Sequence, residues 1–183
     1  MKQPSASAIF HTPVGPLFVR ADAGALTELS FVDRAMSASG AEHEESRAVV
    51  NAVERQMSEF FAGLRTAFDV PIKLIGSPFH VRVWEALRAI PYGATVSYGQ
   101  LAKQLGDPDG ARAVGSANGA NPIVIIVPCH RVIGANGSLV GYGGGLHRKR
   151  VLLDLESGRT ALDLAFTPFA ASSEILHTRQ AAP

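Results

Sequence analysis

Ile123-Val124-Ile125-Ile126-Val127-Pro128-Cys129-His130-Arg131-Val132-Ile133 is the stretch on which this chain has to be read. Five consecutive β-branched residues predict a buried strand. Pro128 ends it, since proline fixes φ and has no amide hydrogen to give. The run therefore delivers the single thiol of the protein, Cys129, into a turn with His130 beside it. A lone cysteine is more often a small, inert hydrophobe than a nucleophile. Activating it takes a base within reach and a third group to orient that base. His130 is next in sequence, but neighbouring strand residues face opposite sides. Glu156 is a candidate orienting carboxylate that spacing alone does not bring close; taken by itself it is a solvated helix-end acid.

Upstream of this stretch lies a series of short helices with clear punctuation. Pro78–Ile90 carries Phe79, Val83, Trp84, Leu87 and Ile90 on one face and stops at Pro91-Tyr92-Gly93. Ser97 is placed to cap a helix over Tyr98–Leu105, and Asp109 to cap another over Gly110–Gly119, which Asn121-Pro122 breaks. Joined by Gly106-Asp107-Pro108-Asp109, these two are spaced like a helix-turn-helix, a spacing that many other helix pairs share. Downstream, Gly134–Gly145 holds six glycines and reads as a loop. His147–Glu156 is a last helix with Val151, Leu152 and Leu155 on its apolar side. Arg148-Lys149-Arg150, at its start, reads as a solvated basic face.

The first part of the chain has a different texture. Ser7–Phe10, Leu17–Arg20 and Leu26–Val32 are short apolar or alternating runs separated by turn signals, the pattern of an antiparallel meander. Ser37–Glu45 is polar and loop-like; from Glu45 the apolar residues recur at helical spacing through Leu64, and Phe68–Ile75 returns to strand character. Gly76-Ser77-Pro78 is the natural linker. The expected organisation is an α+β domain over 1–75, a mostly helical domain over 76–160 that carries the cysteine turn, and a poorly ordered tail over 161–183.

With 183 residues the chain is long enough for a real core, and at 46% apolar and 18% charged residues it is no disordered tail. One cysteine excludes an internal disulfide framework and any zinc site built of several thiolates. Residues 1–75 hold 7 basic and 9 acidic groups, net −2, whereas residues 76–160 hold 9 and 5, net +4, so an anionic partner is expected on the second segment. The N-terminus lacks the unbroken apolar core of a signal peptide and no stretch is long enough to span a bilayer, so no membrane is involved and a cytoplasmic protein is expected.

Asn121-Pro122, the apolar run and Pro128-Cys129-His130-Arg131-Val132-Ile133 together resemble the signature of the O6-alkylguanine-DNA alkyltransferases, also called methylated-DNA–protein-cysteine methyltransferases. The likeness extends through Pro91-Tyr92-Gly93, Val96-Ser97-Tyr98, Arg112-Ala113-Val114-Gly115, Gly141-Tyr142, Gly143-Gly144-Gly145 and Leu152-Leu153, up to Glu156. It covers about Ser77 to Glu156 in the family's order and spacing. The first part resembles the family's variable ribonuclease-H-like half more loosely.

The resemblance implies direct-reversal DNA repair, in which O6-alkylguanine is flipped out of the duplex and its alkyl group passes irreversibly to Cys129, once per molecule. It implies His130 as the water-mediated base for the thiol, Glu156 as the carboxylate holding the imidazole, and Tyr98 as the phenol that donates to the guanine ring. Arg112 matches the family's arginine finger, on a recognition helix that enters the minor groove of double-stranded DNA. Asn121 matches the hinge asparagine, and Val132, Tyr142 and Gly143 match the base pocket. Monomeric action without cofactor or metal is expected, since the first part holds no cysteine and only His11 and His43. Two alternatives stay open: a lesion-binding protein without transfer, which Cys129 argues against, and a Cys-His-Glu hydrolase, which would need an oxyanion hole. The preference between O6-alkylguanine and O4-alkylthymine is also open.

Overall fold

Tight turns build the first sheet. In the computed structural model, which describes residues 5–32 and 43–158, β1 (Ser5–Thr12), β2 (Gly15–Asp22) and β3 (Ala25–Phe31) form an antiparallel meander in the order β1-β2-β3. Ala23 and Gly24 join β2 to β3 with φ of 49° and 74°, the left-handed pair of a type I′ turn, whose twist suits the flanking strands. α1 (Glu44–Phe61) lies against the sheet. Its Val49, Val50, Val53, Met57 and Phe60 recur at helical spacing and are buried in one cluster with Leu17, Val19 and Leu26 of the strands. The expected tail over 161–183 and most of the loop over 37–45 lie outside the described residues.

An open edge on β3 would invite pairing with another chain; two later segments occupy it instead. Leu26 N donates to Pro71 O at 2.8 Å and accepts at its carbonyl from Lys73 N at 2.9 Å. Leu29 N donates to Pro122 O at 2.9 Å and its carbonyl accepts from Val124 N at 2.8 Å. Neither segment is the strand that its composition predicts: among the described residues each joins the sheet through one isolated parallel bridge, Leu26↔Ile72 and Leu29↔Ile123. Pro71 and Pro122 interrupt the ladder because they lack an N–H. Beyond Pro122 the chain then doubles back. Ile125 takes φ 70°, Ile126 N donates to Val124 O at 2.8 Å and Val127 N to Ile123 O at 3.0 Å. That first bond closes a three-residue γ-turn around a β-branched residue in left-handed backbone, a strained arrangement.

The remaining helices follow their caps. α2 (Pro78–Arg88) opens with Ser77 Oγ accepting from His80 N at 3.2 Å and with Pro78 at its first position. Its Trp84 is buried and donates from Nε1 to Ala117 O at 2.8 Å, so α2 is stitched to α4 (Ala111–Gly119). α3 (Tyr98–Gln104) has a complete capping box: Ser97 Oγ accepts from Gln100 N at 3.1 Å and Gln100 Oε1 from Ser97 N at 2.7 Å. α4 is capped by Gly110, with no side-chain bond from Asp109. A short parallel pair, β4 (Val96–Ser97) with β5 (Val132–Ile133), sets the start of α3 beside the cysteine turn. α5 (Leu146–Glu156) buries Lys149, Leu152 and Glu156, so its inner stripe carries two charges where an apolar stripe was expected. No helix among the described residues is long and apolar enough to cross a membrane.

Ser97→Ala removes the acceptor at the head of α3 and should lower stability by about 1 kcal/mol in urea unfolding. Ser97→Thr should retain most of that stability; equal losses in both variants would mean that packing, not the cap, sets the start of α3.

Candidate active site around Cys129

Cys129–Arg131 is a single 3-10 turn that follows Pro128. Its carbonyls and amides are held from several directions. Cys129 N donates to Val127 O at 2.8 Å, and Asn118 Nδ2 reaches Cys129 O at 3.4 Å. Asn121 braces the preceding loop at both ends, donating from Nδ2 to Val127 O at 2.8 Å and accepting from Ile123 N at 3.0 Å. Cys129 is 4% exposed, and its thiol faces a cleft of about 180 Å³ that Asn118, Asn121, Val124, Tyr142 and Gly143 also line, with Ser30 and Phe31 contributed by β3. A larger hollow of about 240 Å³, between Phe68, Tyr92 and Arg131, shares none of these lining residues and holds no thiol.

On this 3-10 corner Cys129 and His130 have different neighbours. His130 is fully buried, its Nε2 lies 2.8 Å from Glu156 Oε1, and its Nδ1 has no hydrogen-bond partner among the described residues. A neutral ring that donates from Nε2 to the carboxylate leaves Nδ1 as an acceptor. Burial lowers the imidazole's pKa, against the upward pull of Glu156. Burial likewise pushes the Cys129 thiol up to about 11, with Asn121, backbone N–H groups and the Lys149 charge pulling it back. At rest the pair is a neutral thiol and a neutral imidazole.

Glu156 holds more than the histidine. Arg131 Nε donates to its Oε2 at 2.9 Å and Arg131 NH2 to its Oε1 at 2.8 Å, while Gly93 N donates to Oε2 at 3.0 Å. Arg131 NH1 continues to Ile90 O at 2.6 Å, in the loop after α2. Burial pushes the carboxyl up, but the hydrogen bonds and charges of His130 and Arg131 outweigh it and hold the group at about 2.

The other residues singled out in the sequence fall into four places. Tyr142 lies in the cleft with its hydroxyl buried and without a partner among the described residues, its pKa raised well above the usual value by burial and by Cys129. Tyr98, at the head of α3, donates to Gly141 O at 3.1 Å and Val140 O at 3.4 Å of the glycine-rich loop. Burial, then Cys129, raises its pKa, so the phenol keeps its proton. Val132 is fully buried under the turn, and its carbonyl accepts from Lys149 Nζ at 2.6 Å. Arg112 stands exposed in the first turn of α4, outside the cleft.

Two partners escaped the sequence reading. Arg131 lay inside the quoted motif without a role. Lys149, read as part of a solvated cluster, is buried and donates to both Val132 O and Val140 O, the latter at 2.7 Å. The one signal for Lys149 was its spacing from Leu152 and Glu156, which puts all three on one helical face.

Glu156→Gln keeps the shape but leaves the Arg131 guanidinium buried without its counter-charge, which should cost roughly 3–5 kcal/mol in denaturant unfolding at pH 7. Acid should act in two stages. His130 resists protonation in the fold, so its contribution is present above its ordinary pKa of 6.5 and declines as the pH falls below it. Glu156 is held below its ordinary 4.5, so its contribution is present above that value and is lost as the pH falls toward about 2. A melting temperature that stays level from pH 7 to pH 5 would overturn the neutral buried imidazole.

Comparison with known proteins agrees with this geometry. Residues 78–158 match the family model described as the DNA binding domain of 6-O-methylguanine DNA methyltransferase, and residues 7–74 match that of its ribonuclease-like domain. The methylated-DNA–protein-cysteine methyltransferase of Mycobacterium tuberculosis is 49% identical over 153 residues, covering 84% of this chain and 93% of the relative. That of Methanosarcina acetivorans is 46% identical over 153 residues, covering 81% and 96%. The crystal structure of Mycobacterium tuberculosis OGT in complex with DNA matches with a TM-score of 0.76 and 47% identity, over 85% of this chain and 95% of that one. With its thiol turn, its buried His130–Glu156 pair and both halves matched, this chain belongs to the methylated-DNA–protein-cysteine methyltransferase family.

Proposed function

We propose that this protein repairs DNA by direct reversal: it takes O6-alkylguanine from double-stranded DNA into the cleft and moves the alkyl group onto Cys129. The observation that carries the reading is a buried thiol opening into a cleft, on the same turn as a histidine paired with a buried carboxylate. Sγ attacks the alkyl carbon, the C–O6 bond breaks, and its electron pair stays on guanine. The thiol proton passes to His130 Nδ1 through one water, and Glu156 stabilises the imidazolium. Guanine takes up a proton as it leaves, with Tyr98 as the donor once its phenol has left the loop carbonyls, and the imidazolium then gives up its proton through solvent as the phenolate regains one. In sum the thiol loses a proton and guanine gains one, and no cofactor enters the balance.

An alkylated base inside a stack is beyond the thiol's reach and has to be flipped out. Residues 76–160 supply the means in this reading, and residues 1–75 the structural support. Arg112, exposed on a helix of small residues, enters the minor groove and fills the vacated stack, a task suited to a planar and permanently charged side chain. Poor base discrimination in that groove suits repair in any sequence. Asn121 keeps the hinge, while Tyr142, Gly143 and Val132 shape the pocket. The protein acts as a monomer, and in the cytoplasm, where a free acceptor thiol stays reduced.

Two experiments test this. Excess duplex carrying labelled O6-methylguanine should leave one methyl per protein molecule, on the peptide containing Cys129, because a thioether gives water no leaving group and the chain has no second thiol. Cys129→Ser should bind the lesion without transfer. Steady turnover beyond one equivalent would instead favour the Cys-His-Glu hydrolase. Arg112→Ala should slow transfer from duplex by roughly tenfold, a fraction of the few kcal/mol that unstacking takes, and leave transfer from free O6-benzylguanine unchanged. Equal losses on both substrates would remove Arg112 from the flipping role.

A further inference from the structure

The basic triplet at the head of α5 does not behave as one solvated face, and Arg148 departs from it in a particular way. Its Nε donates to Val14 O at 2.8 Å, in the turn between β1 and β2, and its NH1 donates to Gly144 O at 3.0 Å, in the glycine-rich loop. Between those two anchors the guanidinium carbon lies 4.7 Å from the centre of the Phe31 ring, within the range of a cation–π contact. One planar group thus holds three elements that are distant in sequence. Lysine, with a single compact ammonium, cannot bond two separated carbonyls and cover a ring at once.

Phe31 is where this clasp meets the reaction cleft. It is the last residue of β3, paired with Leu17 at the end of the ladder. Its ring stands edge-on to Tyr142 with centroids 6.1 Å apart. Gly144 fits against both rings, since a Cβ at that position would run into Phe31 and Tyr142 alike. Phe31, Tyr142 and Gly144 all line the cleft that holds Cys129.

We propose that Phe31 is a wall of the substrate pocket contributed by the N-terminal sheet, and that Arg148 is the positioning residue that holds this wall in place. The proposal rests on the reading of the cleft as the site that receives the alkylated base. Arg148 touches neither thiol nor base in this scheme; it acts through the ring of Phe31 and the backbone of Gly144. The N-terminal part of the chain then shapes the site directly, rather than only supporting the part that carries the thiol.

The test uses the full chain with Arg148→Met, Arg148→Lys, Phe31→Ala and the double variant Arg148→Met with Phe31→Ala. Transfer rates are measured with duplex O6-methylguanine and with free O6-benzylguanine, together with the rate at which iodoacetamide alkylates Cys129. Arg148→Met should slow transfer from both substrates by about ten- to a hundredfold, the scale of a displaced positioning contact. Arg148→Lys should recover part of that loss. Phe31→Ala should cause a similar loss, and the double variant clearly less than the product of the two, because both act in part through one ring. Iodoacetamide is too small to need the wall, so its rate should stay within about twofold of the wild type in every variant, by the same positioning argument.

Wild-type transfer by Arg148→Met, or losses that multiply in the double variant, would overturn the clasp. A faster reaction of Arg148→Met with iodoacetamide would overturn it too, since general loosening of the fold exposes the thiol. A wild-type protein that moves no methyl group to Cys129 would sink the repair reading, and the clasp would still be judged by hydrogen exchange. The amides of residues 141–145 should then exchange faster, and to the same extent, in Arg148→Met, Phe31→Ala and the double variant; unchanged exchange would overturn it.

Discussion

A single carboxylate organises the reactive half of this molecule. Glu156 accepts from His130, from two nitrogens of Arg131 and from Gly93 N, and Arg131 carries the connection on to Ile90 O. Through it the end of α5, the cysteine turn and the loop after α2 are held to one point. Taking a carboxylate and a guanidinium out of water is unfavourable by several kcal/mol per ion, and only good geometry with the remaining donors and acceptors filled offsets it. Here each oxygen has at least two donors. That completeness is why the group stays ionised in a buried position, and an ionised Glu156 fixes which nitrogen of His130 is left as an acceptor. Charge, tautomer and loop position are therefore set together.

The same burial governs the thiol. Without a proton acceptor Cys129 would remain protonated at neutral pH, since its pKa is pushed up to about 11. This is a resting state, not an obstacle. A permanently ionised thiolate in the cleft would react with any small electrophile. In the proposed reaction the thiol becomes a nucleophile as its proton moves to the neutral imidazole, and the Glu156 carboxylate stabilises the resulting imidazolium. Lys149 adds a second positive charge nearby and also ties Val132 O to Val140 O. The carbonyl of Val140 receives the Tyr98 hydroxyl as well. The cationic side chain that favours the thiolate thus also holds the loop on which the phenol rests.

Much of this was legible in the sequence, and what was not shares one physical cause. Turn chemistry and capping residues placed β2, β3, α2 and α3 to within a few residues, because each of those signals is local: Gly24 permits left-handed backbone, and Ser97 with Gln100 satisfies the first amides of a helix. The motif around Cys129 picked out the thiol, His130, Asn121 and Glu156. The errors came where tertiary contacts override propensity. Ile123–Val127 has the composition of a buried strand, yet among the described residues it meets the sheet only at Leu29, through Ile123 and Val124, and Ile125 turns it back on itself. Val151, Leu152 and Leu155 were expected to define the inner face of α5; Leu152 is buried there and the other two pack partly buried against the core, but its fully inward positions also include Lys149 and Glu156. No hydrophobicity pattern marks a lysine whose partners are two carbonyls brought from other elements. Such a residue is recognisable only after the fold exists.

The strained turn at Ile125 and the filled edge of β3 are two sides of one constraint. Leu29 bonds both Pro122 O and Val124 N, so the segment leading to the thiol is fastened to the N-terminal sheet two residues after α4 ends. Within so short a span the chain must leave the helix, pair with β3 and still deliver Pro128 and Cys129 to the cleft, which an extended path would overshoot. A γ-turn shortens that path, and Asn121 bonds both ends of it, at Ile123 N and Val127 O. A β-branched residue there is unfavourable in isolation, yet Ile125 is 1% exposed and part of the core, so its burial offsets the strain. Backbone strain of this kind persists only where surrounding contacts over-determine the conformation. The consequence is a thiol whose position depends on both halves of the chain at once: on Leu29 through the turn before it, and on Glu156 through the residues after it.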